Sequence, residues 1–195
     1  MRIFYDTEFF EDGKTIDLIS VGMVAEDGRE LYLISEDIDV DPLNTRLREH
    51  NWLMENVIAH LPLKTRYDGK PALDLPGGSN VYPCKLGHFG LDLADNRIAS
   101  RRHIRNAVRD FVLATPGPVE LWADYGAYDH VLLAQLFGSM VDLPEGFPMY
   151  THDLRQEIDR RGGDDKLPVQ DGSTAHNALA DARWVRDAYD ALYPF

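Results

Sequence analysis

The chain has a single cysteine in 195 residues, Cys84. That excludes an intramolecular disulfide framework and a thiolate zinc cluster. Basic residues are also scarce, with 20 Lys and Arg against 33 Asp and Glu and a formal charge of -13. Proteins that coat long stretches of nucleic acid use basic surface to displace counterions, so that class is disfavoured, whereas small phosphate-bearing substrates are not. No apolar run approaches the length of a membrane span. Met1-Arg2-Ile3-Phe4 enters a strand pattern directly, without the charged region, apolar core and cleavage site of a signal peptide, so a cytoplasmic protein is expected. Internal repeats and low-complexity segments are absent. What is present is an ordinary globular composition, 44% apolar and 27% charged, on a length that suits one domain over residues 1–195.

The most informative stretch is Ile3-Phe4-Tyr5-Asp6-Thr7-Glu8-Phe9-Phe10, an aromatic and β-branched run interrupted by two acids. In a strand, Asp6 and Glu8 lie on one face. A strand this apolar is buried on both sides, where a bare carboxylate is costly and a metal ion is one compensating partner. Taken alone, the pair is equally compatible with an exposed strand end and solvated acids.

Residues 16–25 and 30–34 read as two further strands, joined by the turns Glu11-Asp12-Gly13-Lys14 and Glu26-Asp27-Gly28-Arg29 into an antiparallel meander. Asp41 and Pro42 suit the start of a helix that carries Leu43, Leu47, Met54, Val57, Ile58 and Leu61. From 62 to 96 periodicity is lost among prolines and glycines, and an insertion or lid is expected. Ser100 suits the cap of a helix whose inner face is Ile104, Ala107, Val108, Phe111 and Val112. A fourth strand at 119–123 leads into a helix through Asp129, Leu132, Leu133 and Leu136. A fifth strand at 149–152, a helix at 154–161, a polar loop at 162–173 and a last helix at 175–192 complete the chain. This order indicates an α/β fold with one mixed five-stranded sheet and helices packed on both faces.

Two acids sit where apolar residues belong. Asp129 shares a helical stripe with Leu132, Leu133 and Leu136, and Asp181 lines up with Ala178, Val185, Ala188 and Leu192. Either acid alone is equally compatible with a structural or capping role. Four carboxylates brought to one place would raise one another's pKa unless cations neutralised them, and carboxylate ligands favour Mg²⁺ or Mn²⁺. Two such ions activate a water and stabilise the leaving oxygen in phosphodiester hydrolysis. His176, five residues before Asp181, is expected to be exposed on a mobile mount, where without the acids it reads as a surface histidine and with them it can take a proton from the attacking water. The other six histidines, His130 and His152 among them, read as structural or surface residues.

In this order the motifs resemble the DEDDh group of 3'-5' exonucleases, within the ribonuclease H-like superfamily. Asp6-Thr7-Glu8 matches its first motif, Ala127-Tyr128-Asp129 the end of its second, and His176-Asn177-Ala178-Leu179-Ala180-Asp181 its third. With Phe4-Tyr5 before the first motif and Leu121-Trp122-Ala123-Asp124 before the second, the pattern looks most like a small exoribonuclease family described from mycobacteria. Many members of the group place asparagine where this chain has Tyr125, and Asp124 precedes it, so either Asp124 or Asp129 completes the metal set; Asp129 is favoured.

The resemblance implies a ribonuclease H-like fold and a 3'-5' exoribonuclease that releases nucleoside 5'-monophosphates. Asp6, Glu8, Asp129 and Asp181 would hold two Mg²⁺ or Mn²⁺ ions, and His176 would be the general base. Substrate contacts are expected from Thr7 and from Phe9 and Phe10, which either stack on terminal bases or pack in the core, with Arg155 and Arg183 as candidate phosphate contacts. The expected partners are short single-stranded RNA or a 3' overhang and a second copy of the chain, with no membrane. A DNA exonuclease of the same group, an endonuclease of the same fold and an inactive nucleotide-binding module are the alternatives.

Overall fold

The meander expected from the first 35 residues forms as β1 (Arg2–Glu11), β2 (Ile16–Ala25) and β3 (Glu30–Ser35), each antiparallel to the next. Its turns use Gly13 and Gly28, both at positive φ, where a side chain would be strained. In this computed structural model the described residues are 1–38, 50–63, 91–163, 167–172 and 174–194. The helix start expected at Asp41 and Pro42, most of the insertion or lid expected at 62–96, and Cys84 lie outside them. Leu63 and Leu91 pair in an antiparallel bridge.

After helix α1 (Asn51–Asn56) the chain runs through β4 (Ile98–Ala99), α2 (Arg101–Leu113), β5 (Glu120–Ala123), α3 (Ala127–Gln135), β6 (His152–Asp153), α4 (Leu154–Arg160) and α5 (Ala178–Leu192). Ser100 caps α2 as expected, its hydroxyl accepting from the His103 N–H. The sheet has six strands in the order β4-β3-β2-β1-β5-β6, one more than the five expected from sequence. The additional member is β4, a two-residue edge beside β3 that is too short to leave a period in the sequence. β5 is parallel to both β1 and β6, which makes the sheet mixed and compatible with a ribonuclease H-like α/β fold.

Alternation along β1 divides the core in two. Ile3 and Tyr5 face one side and pack with Ile104, Val108 and Val112 of α2 and Leu132 and Leu133 of α3. Phe4 faces the other and packs with Leu154 and Ile158 of α4 and Val185, Ala188 and Tyr189 of α5. Helices therefore cover both faces, and Asp6 and Glu8, in step with Phe4, point toward α5.

Candidate active site

The parallel pairing of β5 with β1 stops at Phe4–Trp122, while β1 continues to Glu11. Beyond that point no strand among the described residues pairs with this edge of β1, and α3 lies beside it. Asp129, in the first turn of α3 and buried, accepts both the Thr7 N–H at 2.8 Å and the Thr7 hydroxyl at 2.6 Å on its Oδ1. The carboxylate thus takes the place of a ladder carbonyl, and its Oδ2 carries no hydrogen bond to Thr7. Thr7, expected at the substrate, is buried and directs both donors to Asp129.

On the opposite side α5 presses unusually close to the sheet. Asp6, Gly22 and Tyr32 form one cross-strand row on β1, β2 and β3. A Cβ at Gly22 would fall 2.2 Å from the backbone carbon and oxygen of Ala178, so only glycine admits the start of α5 here. Asn177 caps α5 by accepting from the Ala180 N–H, and its amide donates to the Tyr32 hydroxyl at 3.0 Å. Small Ala178 and Ala182 are buried beneath the same helix. These contacts bring Asp181 down beside β1.

The result is a converging set. Ligand atoms of Glu8, His176 and Asp181 lie within 4.8 Å of one another. Asp181 accepts the His176 N–H on Oδ2 and the Gln170 side-chain amide on Oδ1. His176 takes a left-handed φ of 63° and meets Trp52 edge-on with ring centroids 4.6 Å apart. It is half-buried, where an exposed position was expected, because Trp52 of α1 covers it. Strain of this kind in a non-glycine residue persists only where its surroundings enforce it, and here the bond to Asp181 and the Trp52 ring do so.

Burial and mutual repulsion hold these carboxyls on the protonated side of their ordinary range. Asp6 is raised by burial first and then by the charges of Asp129, Glu8, Asp181 and Asp124. Burial, with Asp181 and Asp129, pushes Glu8 up to about 8. Asp129 and Asp181 each rise to about 6, chiefly through burial, although the hydrogen bonds from Thr7, His176 and Gln170 oppose the rise. Asp124 stands near enough to raise Asp6 and Asp129 but has a cation of its own. It is gripped by Arg155 through Nε at 3.1 Å and an Nη at 2.7 Å. This fork answers Asp124 with a cation and leaves Asp129 as the acid directed at β1.

The remaining expected contacts divide. Phe9 is half-buried against Tyr128 of α3, at 5.6 Å between ring centroids, near the same edge. Phe10 is buried in the core with Ile19, Ile34 and Leu53 and meets His50 edge-on. Arg183 grips Glu30, and Arg155 is committed to Asp124. Sequence reading missed Gly22, Tyr32, Gln170 and Trp52; among these only Gly22, a glycine inside an apolar strand, carried a local signal.

Residues 92–193 match the sequence model of the 3'-5' exoribonuclease Rv2179c-like domain. Over 184 residues the chain is 38% identical to 3'-5' exoribonuclease Rv2179c of Mycobacterium tuberculosis strain H37Rv and, equally, to 3'-5' exoribonuclease MT2234.1 of strain CDC 1551. Each alignment covers 94% of this chain and 88% of the relative.

Proposed function

The chain belongs to the Rv2179c-like 3'-5' exoribonuclease family, and from that premise we propose that it removes nucleoside 5'-monophosphates from RNA 3' ends with two divalent cations, Mg²⁺ or Mn²⁺, held by Asp6, Glu8, Asp129 and Asp181. The observation that carries the metal half of this reading is the convergence of Glu8, His176 and Asp181 within 4.8 Å beside two further desolvated carboxylates. The donor set fits such ions, since carboxylate oxygens suit Mg²⁺ and Mn²⁺, and several like charges in one partly buried place call for positive charge. Bound there, the ions supply Lewis acidity to the attacking water and to the leaving 3' oxygen.

The protein's own groups do the rest. His176, beside Glu8 and Asp181, would accept the proton of the attacking water, and its backbone bond to Asp181 keeps base and acid in fixed relation. Trp52 shields one side of that ring from solvent. Thr7 fixes the orientation of Asp129, and Arg155 compensates the charge of Asp124, the fifth acid nearby. The choice of RNA rests on the family and on the names its relatives carry. A homodimer is part of the same reading. No described helix is long and apolar enough to cross a membrane.

Oligoribonucleotides labelled at the 3' or the 5' end, incubated with Mg²⁺ or Mn²⁺, test the reaction. Expected is immediate release of labelled mononucleotide from the 3' label and a descending ladder from the 5' label. Internal fragments would indicate an endonuclease, and no cleavage with either ion would overturn the reading. In the same assay His176→Ala lowers the rate by about 10²–10⁴-fold at saturating metal; an unchanged rate would remove His176 from the base role.

A further inference from the structure

At the free edge of the sheet the rings of three residues are arranged around an opening. The His152 ring stacks on Trp122, with centroids 4.6 Å apart and planes 13° from parallel. Tyr150, 65% exposed, meets His152 edge-on at 5.3 Å. With Thr151 and Gln156 these residues line a cleft of about 190 Å³. Pockets for drug-sized ligands begin at about 300 Å³, so this one suits a single planar group. Trp122 is buried and anchors the stack, whereas Tyr150 and Gln156 stand exposed at the rim.

The charge around the cleft selects against phosphate. Asp153 and Glu157 both line it. Its cation, Arg160, is paired with Glu157. An anion gains nothing here, while an uncharged base gains aromatic surface and the amide of Gln156, which offers both a donor and an acceptor.

Tyr125 joins this cleft to the acids. It holds a left-handed φ of 54°, sparsely populated for a non-glycine residue, and its ring is 67% exposed. One side of the ring faces the Arg155 guanidinium, 4.9 Å from the centroid, and the same guanidinium grips Asp124 beside the metal acids. The next residue, Gly126, lies against Thr151 of the cleft, since a Cβ there would sit 3.2 Å from the Thr151 methyl. A strained backbone thus holds out an exposed aromatic ring, braced by a cation, between the acids and the cleft.

We propose that Tyr125 and the Trp122–His152–Tyr150 cleft form a base-binding track for single-stranded RNA, Tyr125 stacking one base near the scissile phosphate and the cleft receiving another farther along the strand. The identity of the ligand rests on the exoribonuclease reading. The track itself rests on rings that reading does not use. Stacking accepts any base, so the track adds affinity for a strand without demanding its sequence.

Oligoribonucleotides carrying 2-aminopurine at each successive position from the 3' end, bound in Ca²⁺ to avoid turnover, test the track. The full-length protein is expected to quench the probe at two positions. Tyr125→Gly, which also relieves the backbone, and Tyr150→Ala, at an exposed site, each restore fluorescence at one of those positions and raise Kd about tenfold. Removing the base at the quenched position weakens binding to the unaltered protein but not to the matching variant. Unchanged quenching and Kd in both variants would overturn the track, and 3'-end hydrolysis would then leave the exoribonuclease reading standing. Quenching through the track without mononucleotide release in Mg²⁺ would count against that reading alone.

Discussion

Glu8 shows most clearly what the site costs the protein without cations. Its carboxyl, which ionises near 4.5 in an unfolded chain, is pushed up to about 8 in the fold, because burial and the charges of Asp181 and Asp129 oppose its ionisation. Between those values the folded state holds a proton that the unfolded state has lost. Stability is therefore fully present below about 4.5 and declines as the pH rises through about 8. Asp129 and Asp181, raised to about 6, add to the early part of that decline. Metal-free protein followed by thermal unfolding should lose Tm steadily from pH 5 to pH 8, and Mn²⁺ should restore more of it at pH 8 than at pH 5. Glu8→Gln should flatten the apo profile and raise its Tm at pH 8, by about 2–4 °C for each kcal/mol of repulsion removed, while forfeiting turnover. A metal-free profile that climbs from pH 5 to pH 8 would show that these carboxyls are not held in mutual repulsion.

Gly22 fixes how close α5 comes to the meander. The first turn of α5 lies directly on Gly22, in the cross-strand row of Asp6 and Tyr32, and this contact delivers Asp181 and His176 to the acids of β1. Gly22→Ala forces a methyl to within 2.2 Å of the Ala178 backbone unless the helix retreats. It should cost about 1–3 kcal/mol in denaturant unfolding and lower activity well below the unfolding transition, because His176 and Asp181 retreat with the helix. A Gly22→Ala protein of unchanged stability and activity would contradict the close packing. The complementary device is the early end of β5: among the described residues no strand pairs with Thr7 on that edge, the chain needs an acceptor there, and Asp129 serves as both edge cap and candidate metal ligand.

Across the whole molecule, features governed by local period were legible in the sequence. The alternation that sets Asp6 and Glu8 beside Phe4, the Ser100 cap, and the stripe carrying Asp181 with Ala178 and Val185 all follow from spacing along one element. What spacing does not encode is contact between elements. The Trp52 cover on His176, the Tyr32–Asn177 bond and the Arg155 fork on Asp124 join residues 31 or more positions apart, and spacing leaves Phe10 between base stacking and the core cluster in which it is buried. The pairing of Asp124 with Arg155, which bears on the choice between Asp124 and Asp129, is likewise a contact that spacing does not encode. The central claim is that β1, α3 and α5 together hold two metal ions, and it is tested most directly by anomalous diffraction from a crystal containing Mn²⁺ and a nucleoside 5'-monophosphate. Two manganese peaks about 4 Å apart are expected among Asp6, Glu8, Asp129 and Asp181, with Asp124 still held by Arg155. Manganese bound by Asp124 in place of Asp129, or absent from these four acids, would contradict it.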